Sequence, residues 1–321
     1  MEKKICFFGL LHIKKNENKL LNFKIKNEES KILVYLKNAI VLDQQLKSFD
    51  FEFVLLTNNL IYLDKLLKKL DYKIKLKKIK FKTYVPKNTH FYACHFRVDV
   101  FRYLSGLRNT YSILIDLDVL IFKKPLNLLN YKNKNINFVN DITKNVIPAY
   151  GKSKILKNLK ILNSKIKNIK WYGGDFFSGD ATFFDILYKK TNQYQKKFIK
   201  NAKLLTDQTD ELFMSAAIWD IKYNHKFFKI KTIENTKIFT RYWNANTLHE
   251  QKEISYYKKF YMLHIPADKI FLSNCFNLLN KKKNFKIDYF NHVSIIKNFF
   301  KKSISKILPN NIKIKIKNYF I

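Results

Sequence analysis

The stretch Tyr111-Ser-Ile-Leu-Ile-Asp-Leu-Asp-Val-Leu-Ile-Phe122 constrains this chain most, because so apolar a run predicts a strand covered on both faces. Asp116 and Asp118 interrupt it. Side chains two residues apart on a strand point the same way, so both carboxylates are expected at one site. Two like charges buried together are costly unless a cation lies between them. Hard oxygen ligands suit Mg²⁺ or Mn²⁺, particularly when a diphosphate supplies further oxygens. The plainer alternative is a strand end bearing two solvated acids, so the flanking residues have to decide.

Ahead of that stretch the chain alternates strand and helix. Ile5 to His12 predicts a first strand, with Gly9 marking a close approach of ligand or backbone. Apolar positions recur at helical spacing from Ile32 to Phe49. Phe51 to Thr57 predicts a second buried strand, ended by Asn58 and Asn59, and about Leu60 to Leu70 a second amphipathic helix. Tyr72 to Phe81 alternates Lys with apolar residues, as a charged edge strand does. This β-α-β-α-β order implies α/β architecture, with strands in a sheet flanked by helices.

Phe91 to Leu107 predicts a helix leading into the acidic strand. Val100, Phe101, Leu104 and Leu107 share one side, with Asp99 and Arg102 opposite as either functional residues or a surface ion pair. Arg97 falls on the apolar side, so it either starts the helix or reaches inward to a partner. Beyond Pro125, Ile136 to Asn140 predicts a strand, and Asp141 to Lys170 reads as a Lys-rich, mobile or acceptor-side excursion outside the core.

Trp171-Tyr-Gly-Gly-Asp-Phe-Phe-Ser-Gly-Asp180 holds three of the chain's six glycines beside aromatics and acids, a clustering that favours a site over a plain turn. Ser178 or Asp180 is placed to cap a helix over about 181–199. Thr206-Asp-Gln-Thr-Asp-Glu211 opens the helix Leu212 to Trp219; capping accounts for its acids but not for Gln208. Tyr257 to Ile265 predicts a last core strand with His264 at its end, either a hydrogen-bonded strand-end histidine or a metal ligand.

The chain is long enough, at 321 residues, for one large domain, expected over 1–280, with an appendage over 281–321. Its formal charge of +37 implies an anionic partner such as lipid, nucleic acid or a phosphorylated substrate. Part of that charge is compositional, since abundant Lys, Asn and Ile are what an AT-rich bacterial genome encodes. Cys6, Cys94 and Cys275 are too few and too scattered for a disulfide framework or zinc site, which favours a reducing cytoplasm. The apolar run after Lys3-Lys4 is too short for a signal peptide and lacks a cleavage site. No segment reaches the ~18 apolar residues of a membrane span. From Val293 to Leu308 an apolar stripe faces Lys297, Lys301, Lys302 and Lys306, the pattern of a helix in an anionic membrane interface or of one packed on the domain. Ile312 to Lys317 alternates as a short strand or binding-ordered tail would.

Taken together, Arg97-Val-Asp-Val-Phe-Arg-Tyr103 and Ile113-Leu-Ile-Asp-Leu-Asp-Val119 resemble the signature of Asp-x-Asp glycosyltransferases with the GT-A fold, a Rossmann-like mixed sheet flanked by helices. The nearest likenesses are capsular polysaccharide glycosyltransferases and the large clostridial glucosylating toxins. Trp171 to Gly179 with Asp210-Glu211 looks like segments of blood-group-type galactosyltransferases. Asp207-Gln208 and His264 are similar to residues of lipo-oligosaccharide galactosyltransferases related to glycogenin. The likeness covers roughly residues 90 to 265 in pieces. Asn109-Thr-Tyr111 stands where the capsular family has Gly-Gly, and His264 lacks the Gly and Lys-Pro-Trp context of the glycogenin-like motif.

The resemblance implies that Asp118 binds the cation directly, with Asp116 binding through water or holding the donor ribose, and His264 as a further ligand. It implies that Asp99, Arg102 and Arg97 hold donor sugar or phosphate, and that Phe8, Gly9 and Leu10 hold the nucleobase. Gly173, Gly174 and Asp175 would line the acceptor side, with Gln208, Asp210 or Glu211 beneath the anomeric carbon. Partners would be a nucleotide-sugar donor, UDP-linked, and a glycan or glycolipid acceptor at the inner face of a bacterial membrane. Retention of configuration is the modest preference; inversion would need Asp175, Asp210 or Glu211 as base.

Two other classes compete. A nucleotidyltransferase also uses paired acids and metal, but would normally carry a Gly-rich phosphate loop near the N-terminus, where only Gly9 occurs. A nucleic-acid-binding protein would interleave Lys and aromatics on one face, whereas here Lys is spread along the whole chain.

Overall fold

The computed structural model describes residues 3–13, 27–86, 89, 91–125, 128, 131–132, 136–207, 209–225, 228–244, 248–277 and 288–294. Internal contacts divide the chain into Met1–Asn280 and Lys281–Ile321. In the second unit, 288–294 is a helical stretch in which Ser294 Oγ donates to the Phe290 carbonyl. The remainder of the amphipathic stripe and the alternating 312–317 segment lie outside the described residues.

The first unit has a seven-stranded mixed sheet ordered β3-β2-β1-β4-β7-β6-β8. Its strands are β1 (Lys4–Leu11), β2 (Glu52–Thr57), β3 (Lys75–Lys78), β4 (Thr110–Ile115), β6 (Asn137–Asp141), β7 (Tyr172–Gly179) and β8 (Ile230–Thr232). A second sheet, ordered β5-β10-β9, joins β5 (Val119–Ile121), β9 (Phe239–Arg241) and β10 (Met262–His264). Strand β1 runs parallel to both β2 and β4, while β7 lies antiparallel between β4 and β6. The helices are α1 (Glu28–Lys47), α2 (Leu60–Lys69), α3 (Arg97–Leu104), α4 (Thr143–Tyr150), α5 (Lys152–Leu162), α6 (Ala181–Lys200), α7 (Asp210–Asn224) and α8 (Lys269–Cys275).

Alternation along the central strands builds two cores. Ile5, Phe7 and Leu11 of β1 pack with α1 and α2, whereas Cys6 and Phe8 join α3, α6 and α7 on the other face. Burying each such Phe or Leu contributes roughly 1.5–3 kcal/mol. Side chains cap some of the helix starts, Asp180 among them as expected, whereas α7 begins without one. Asn27 accepts from Glu29 N at 2.8 Å, and Asp180 accepts from Phe183 N at 3.0 Å.

Several boundaries differ from the sequence expectation. The run from Tyr111 to Phe122 is not one strand. After Ile115 the chain leaves the large sheet, Asp116 N donates to the Asp175 carbonyl and Ile265 N to the Asp118 carbonyl, and Val119–Ile121 then pairs with β10. Asp116 and Asp118 therefore occupy the crossing between two sheets rather than adjacent pleats of one. The predicted helix from Phe91 begins as a 3₁₀ turn, Tyr92–Phe96, before α3. The excursion 141–170 is not peripheral, because α4 and α5 bury Val146, Ile155, Leu159 and Leu162 in the core. Its exposed lysines had masked a sparse apolar stripe. The glycine cluster is itself a strand, β7, buried along its whole length.

Candidate active site

The break after β4 and the end of β10 bring Asp116, Asp118 and His264 together. His264 Nε2 lies 3.2 Å from Asp118 Oδ1 and 3.7 Å from Asp116 Oδ2. One ligand atom from each residue falls within a 4.8 Å span. All three line a cavity of about 600 Å³ that also meets the end of β1, the start of α1, and Lys269. That is within the usual range for small-molecule sites, and it lies at the carboxyl ends of β1 and β4, where ligands of open α/β sheets bind.

Each atom of the trio is held from behind. His264 Nδ1 is 2.8 Å from Asp175 Oδ2, and donation to that carboxylate fixes the ring with Nε2 directed toward the two acids. Asp175, fully buried on β7, also accepts from Asn140 Nδ2 (3.0 Å) and Arg241 Nε (2.6 Å). Arg97 pairs with Oδ1 of Asp116 and, through Nη1, with Asp210 Oδ2 at 2.5 Å. Glu211 accepts from Trp171 Nε1 and Arg241 Nη2, both at 2.9 Å, and from Gly174 N at 3.2 Å. Lys269 Nζ donates to the Pro266 carbonyl and lies 2.6 Å from Asp118 Oδ2, attracted to it but off the direction of a good hydrogen bond.

Burial alone disfavours the ionised form of Asp118, but Lys269 and His264 hold its carboxyl well below the usual range. Burial acts likewise on Asp175, where Arg241 and His264 prevail. At Asp116 burial wins over Arg97 and His264, and its pKa is raised. For His264, burial opposes the charged ring, yet Asp118 and Asp175 raise its pKa to about 9.

These residues fit a divalent cation. Two hard oxygens and an imidazole nitrogen converge within a 4.8 Å span, a donor set that suits Mn²⁺ or Mg²⁺. The acids Asp116, Asp118, Asp175, Asp210 and Glu211 pair with Arg97, Arg241 and Lys269, and the buried Lys31 also lines the cavity. A divalent ion bound here would take the place of the His264 proton that the neighbouring acids otherwise favour.

No family profile matches this sequence, and no curated protein does. Among solved structures the chain is similar to the crystal structure of mouse xyloside xylosyltransferase 1 in its apo form, at 8% sequence identity and a TM-score of 0.45. The likeness covers 81% of this chain and 97% of that one. A likeness of that size carries over no residue roles.

The structure gathers Leu10, Arg97, Asp116, Asp118, Asp210, Glu211 and His264 at the cavity. It places other candidates elsewhere. Phe8 faces the core, edge-on to Tyr103, and Gly9 backs onto Leu117 and Phe53, so neither reaches a nucleobase there. The cavity meets β1 later, at Leu10 to Ile13, where His12 stacks on Phe96 at 4.2 Å. Asp99 is buried away from the cavity, accepting from Lys82 N and Thr83 N and pairing with Arg102, which donates to the Lys80 carbonyl. Both thus pin the strand-to-helix loop. Asp175 has its carboxylate committed to three donors behind His264, which removes it as an acceptor contact or general base. Gly173 and Gly174 lie beneath the ion network: a Cβ on Gly174 would stand 2.6 Å from Arg97 Nη1, and one on Gly173 2.5 Å from Asp175 Oδ1. They make room for the charged side chains rather than for an acceptor. Gln208 lies outside the described residues.

Arg241, Lys269 and Trp243 were not anticipated. The one signal for Arg241 was a charge inside the apolar Phe239–Tyr242 run, which in a strand demands a buried partner. Nothing local distinguishes Lys269 from the chain's other lysines.

Proposed function

We propose that this protein is a metal-assisted glycosyltransferase of the Asp-x-Asp, GT-A type, moving a hexose from a nucleotide diphosphate donor, UDP-linked by preference, to a glycan or glycolipid acceptor. The observation that carries this reading is the convergence of Asp116, Asp118 and His264 on one cavity beside the end of β1. Mn²⁺ or Mg²⁺ held by that trio would neutralise the departing diphosphate, the main electrostatic task in breaking a sugar–phosphate bond. The chain's own residues supply the rest. Lys269 sets a second positive charge at the same edge of the cavity, and the segment from Leu10 to Ile13 offers an apolar, aromatic bed for the base. Arg97 keeps Asp116 Oδ1 occupied, so Oδ2 remains for the ion. Asp210 Oδ2 is also taken by Arg97, which leaves Oδ1 as its oxygen for a reacting centre. Glu211, tied at both oxygens, is suited to an electrostatic role under the anomeric carbon and poorly to proton transfer.

Thermal-shift measurements with nucleotides test the reading. UDP with Mn²⁺ at ~100 times its dissociation constant is expected to stabilise the fold by about 2.7 kcal/mol, and UDP with EDTA by much less. Equal shifts in EDTA would select a metal-free version, favoured by the position of Lys269 on Asp118. No shift with any nucleotide or nucleotide sugar would reject the reading altogether.

Residues 281–321, with eleven lysines and Asp288 as their one acid, are proposed to hold the enzyme against anionic lipid at the inner membrane face. Among the described residues no helix is long and apolar enough to cross a membrane. Removing residues 290 to 321 is expected to abolish co-sedimentation with anionic vesicles while donor hydrolysis persists. Undiminished sedimentation of the truncated chain would refute the anchoring role.

A further inference from the structure

We propose that Arg241 is the positioning residue for the divalent cation, acting through Asp175 and His264; this rests on the metal reading above. Arg241 and His264 are register partners in the parallel pair β9–β10, so their side chains leave the small sheet side by side. Both meet the same oxygen, Asp175 Oδ2, at 2.6 Å from Arg241 Nε and 2.8 Å from His264 Nδ1. The fork of Arg241 also spans to Glu211 Oε1, so one planar group braces two carboxylates that come from β7 and α7.

Arg241 itself has little freedom. Its guanidinium lies 4.9 Å from the ring centre of Trp243, whose own backbone N and O are both bonded to the Gln251 side chain. The chain of restraint therefore runs from the Trp243–Gln251 pairing through Arg241 to Asp175, and ends at the ring that offers Nε2 to the ion. Without the guanidinium, Asp175 keeps only Asn140 and the imidazole as partners, and nothing obliges its carboxylate to keep the orientation that aims His264. Lysine would preserve the charge but reach one carboxylate at a time. Loss of such an outer partner typically weakens metal affinity ~10–100-fold.

The test measures Mn²⁺ affinity without substrate, from the free-ion electron paramagnetic resonance signal, on the full chain. Arg241→Gln is expected to weaken Mn²⁺ binding by ~10-fold or more, with Arg241→Lys between it and the wild type. Arg102→Gln, which removes a guanidinium that lies outside the cavity, is expected to leave the affinity within about twofold. Wild-type affinity in a folded Arg241→Gln protein would overturn the role of Arg241 alone. If Arg241→Gln does not fold, Asp175→Asn carries the test: a similar loss supports the chain of restraint, and unchanged affinity overturns it. A wild-type protein that binds no Mn²⁺ would instead overturn the metal reading and this inference with it.

Discussion

Asp118→Asn is expected to lower sugar transfer by roughly 10²–10³-fold at saturating Mn²⁺ and donor, with the fold retained. Asparagine has nearly the volume of aspartate, so the packing around this 3%-exposed side chain is preserved. What disappears is a full negative charge facing His264 at 3.2 Å and Lys269 at 2.6 Å, in a site where burial magnifies every electrostatic contact. The ion would lose a ligand, and Lys269 would lose the partner that balances it. Steady-state rates across a Mn²⁺ titration, with melting curves as the control for folding, measure the effect. Metal-dependent turnover at the wild-type level would remove the central claim of the proposed mechanism.

A second large effect is structural. Arg97→Met is expected to destabilise the protein by about 3–5 kcal/mol, because it strands Asp116 and the 4%-exposed Asp210 side chain without their shared cation. For a domain of this size that corresponds to a fall in Tm of roughly 6–10 °C. Arg102→Met provides the contrast. Its side chain is 34% exposed, and Asp99 keeps two backbone N–H donors when it goes, so its loss is expected to cost about 1 kcal/mol or less. Urea unfolding of both variants gives the comparison. Equal destabilisation would mean that Arg97 is not the keystone of the buried network. A gain in Arg97→Met stability on adding Asp210→Asn, beyond the sum of the single changes, would locate the cost in the stranded carboxylate.

The two arginines of the Arg97-x-Asp99-x-x-Arg102 segment also mark how far local pattern can be trusted. Helical spacing put Arg97 on the apolar side, which left a helix start or an inward partner, and the structure shows both: α3 begins at Arg97, and its guanidinium reaches Asp116 and Asp210. Resemblance assigned Asp99 and Arg102 to the donor, and tertiary structure turned them toward Lys80, Lys82 and Thr83. The pair Asp116 and Asp118 was legible as a site, but for a partly mistaken reason: a crossing between two sheets, not the pleat of one strand, brings them together.

By itself the amino-acid order determined the alternation of strands and helices through β4, the two faces of each buried strand, and the presence of a paired-acid centre near residue 117. Those features repeat over two to four residues, and a repeat that short is set by backbone geometry. Only the tertiary structure decided that His264 joins the acids, that Asp175 stands behind it, and that Arg241 and Lys269 complete the charge. Asp175 and His264 are 89 residues apart and Asp175 and Arg241 66, and the Arg97–Asp210 pair beside them spans 113. Coulomb attraction and hydrogen bonding act through space, so no periodicity along the chain records which charges will meet.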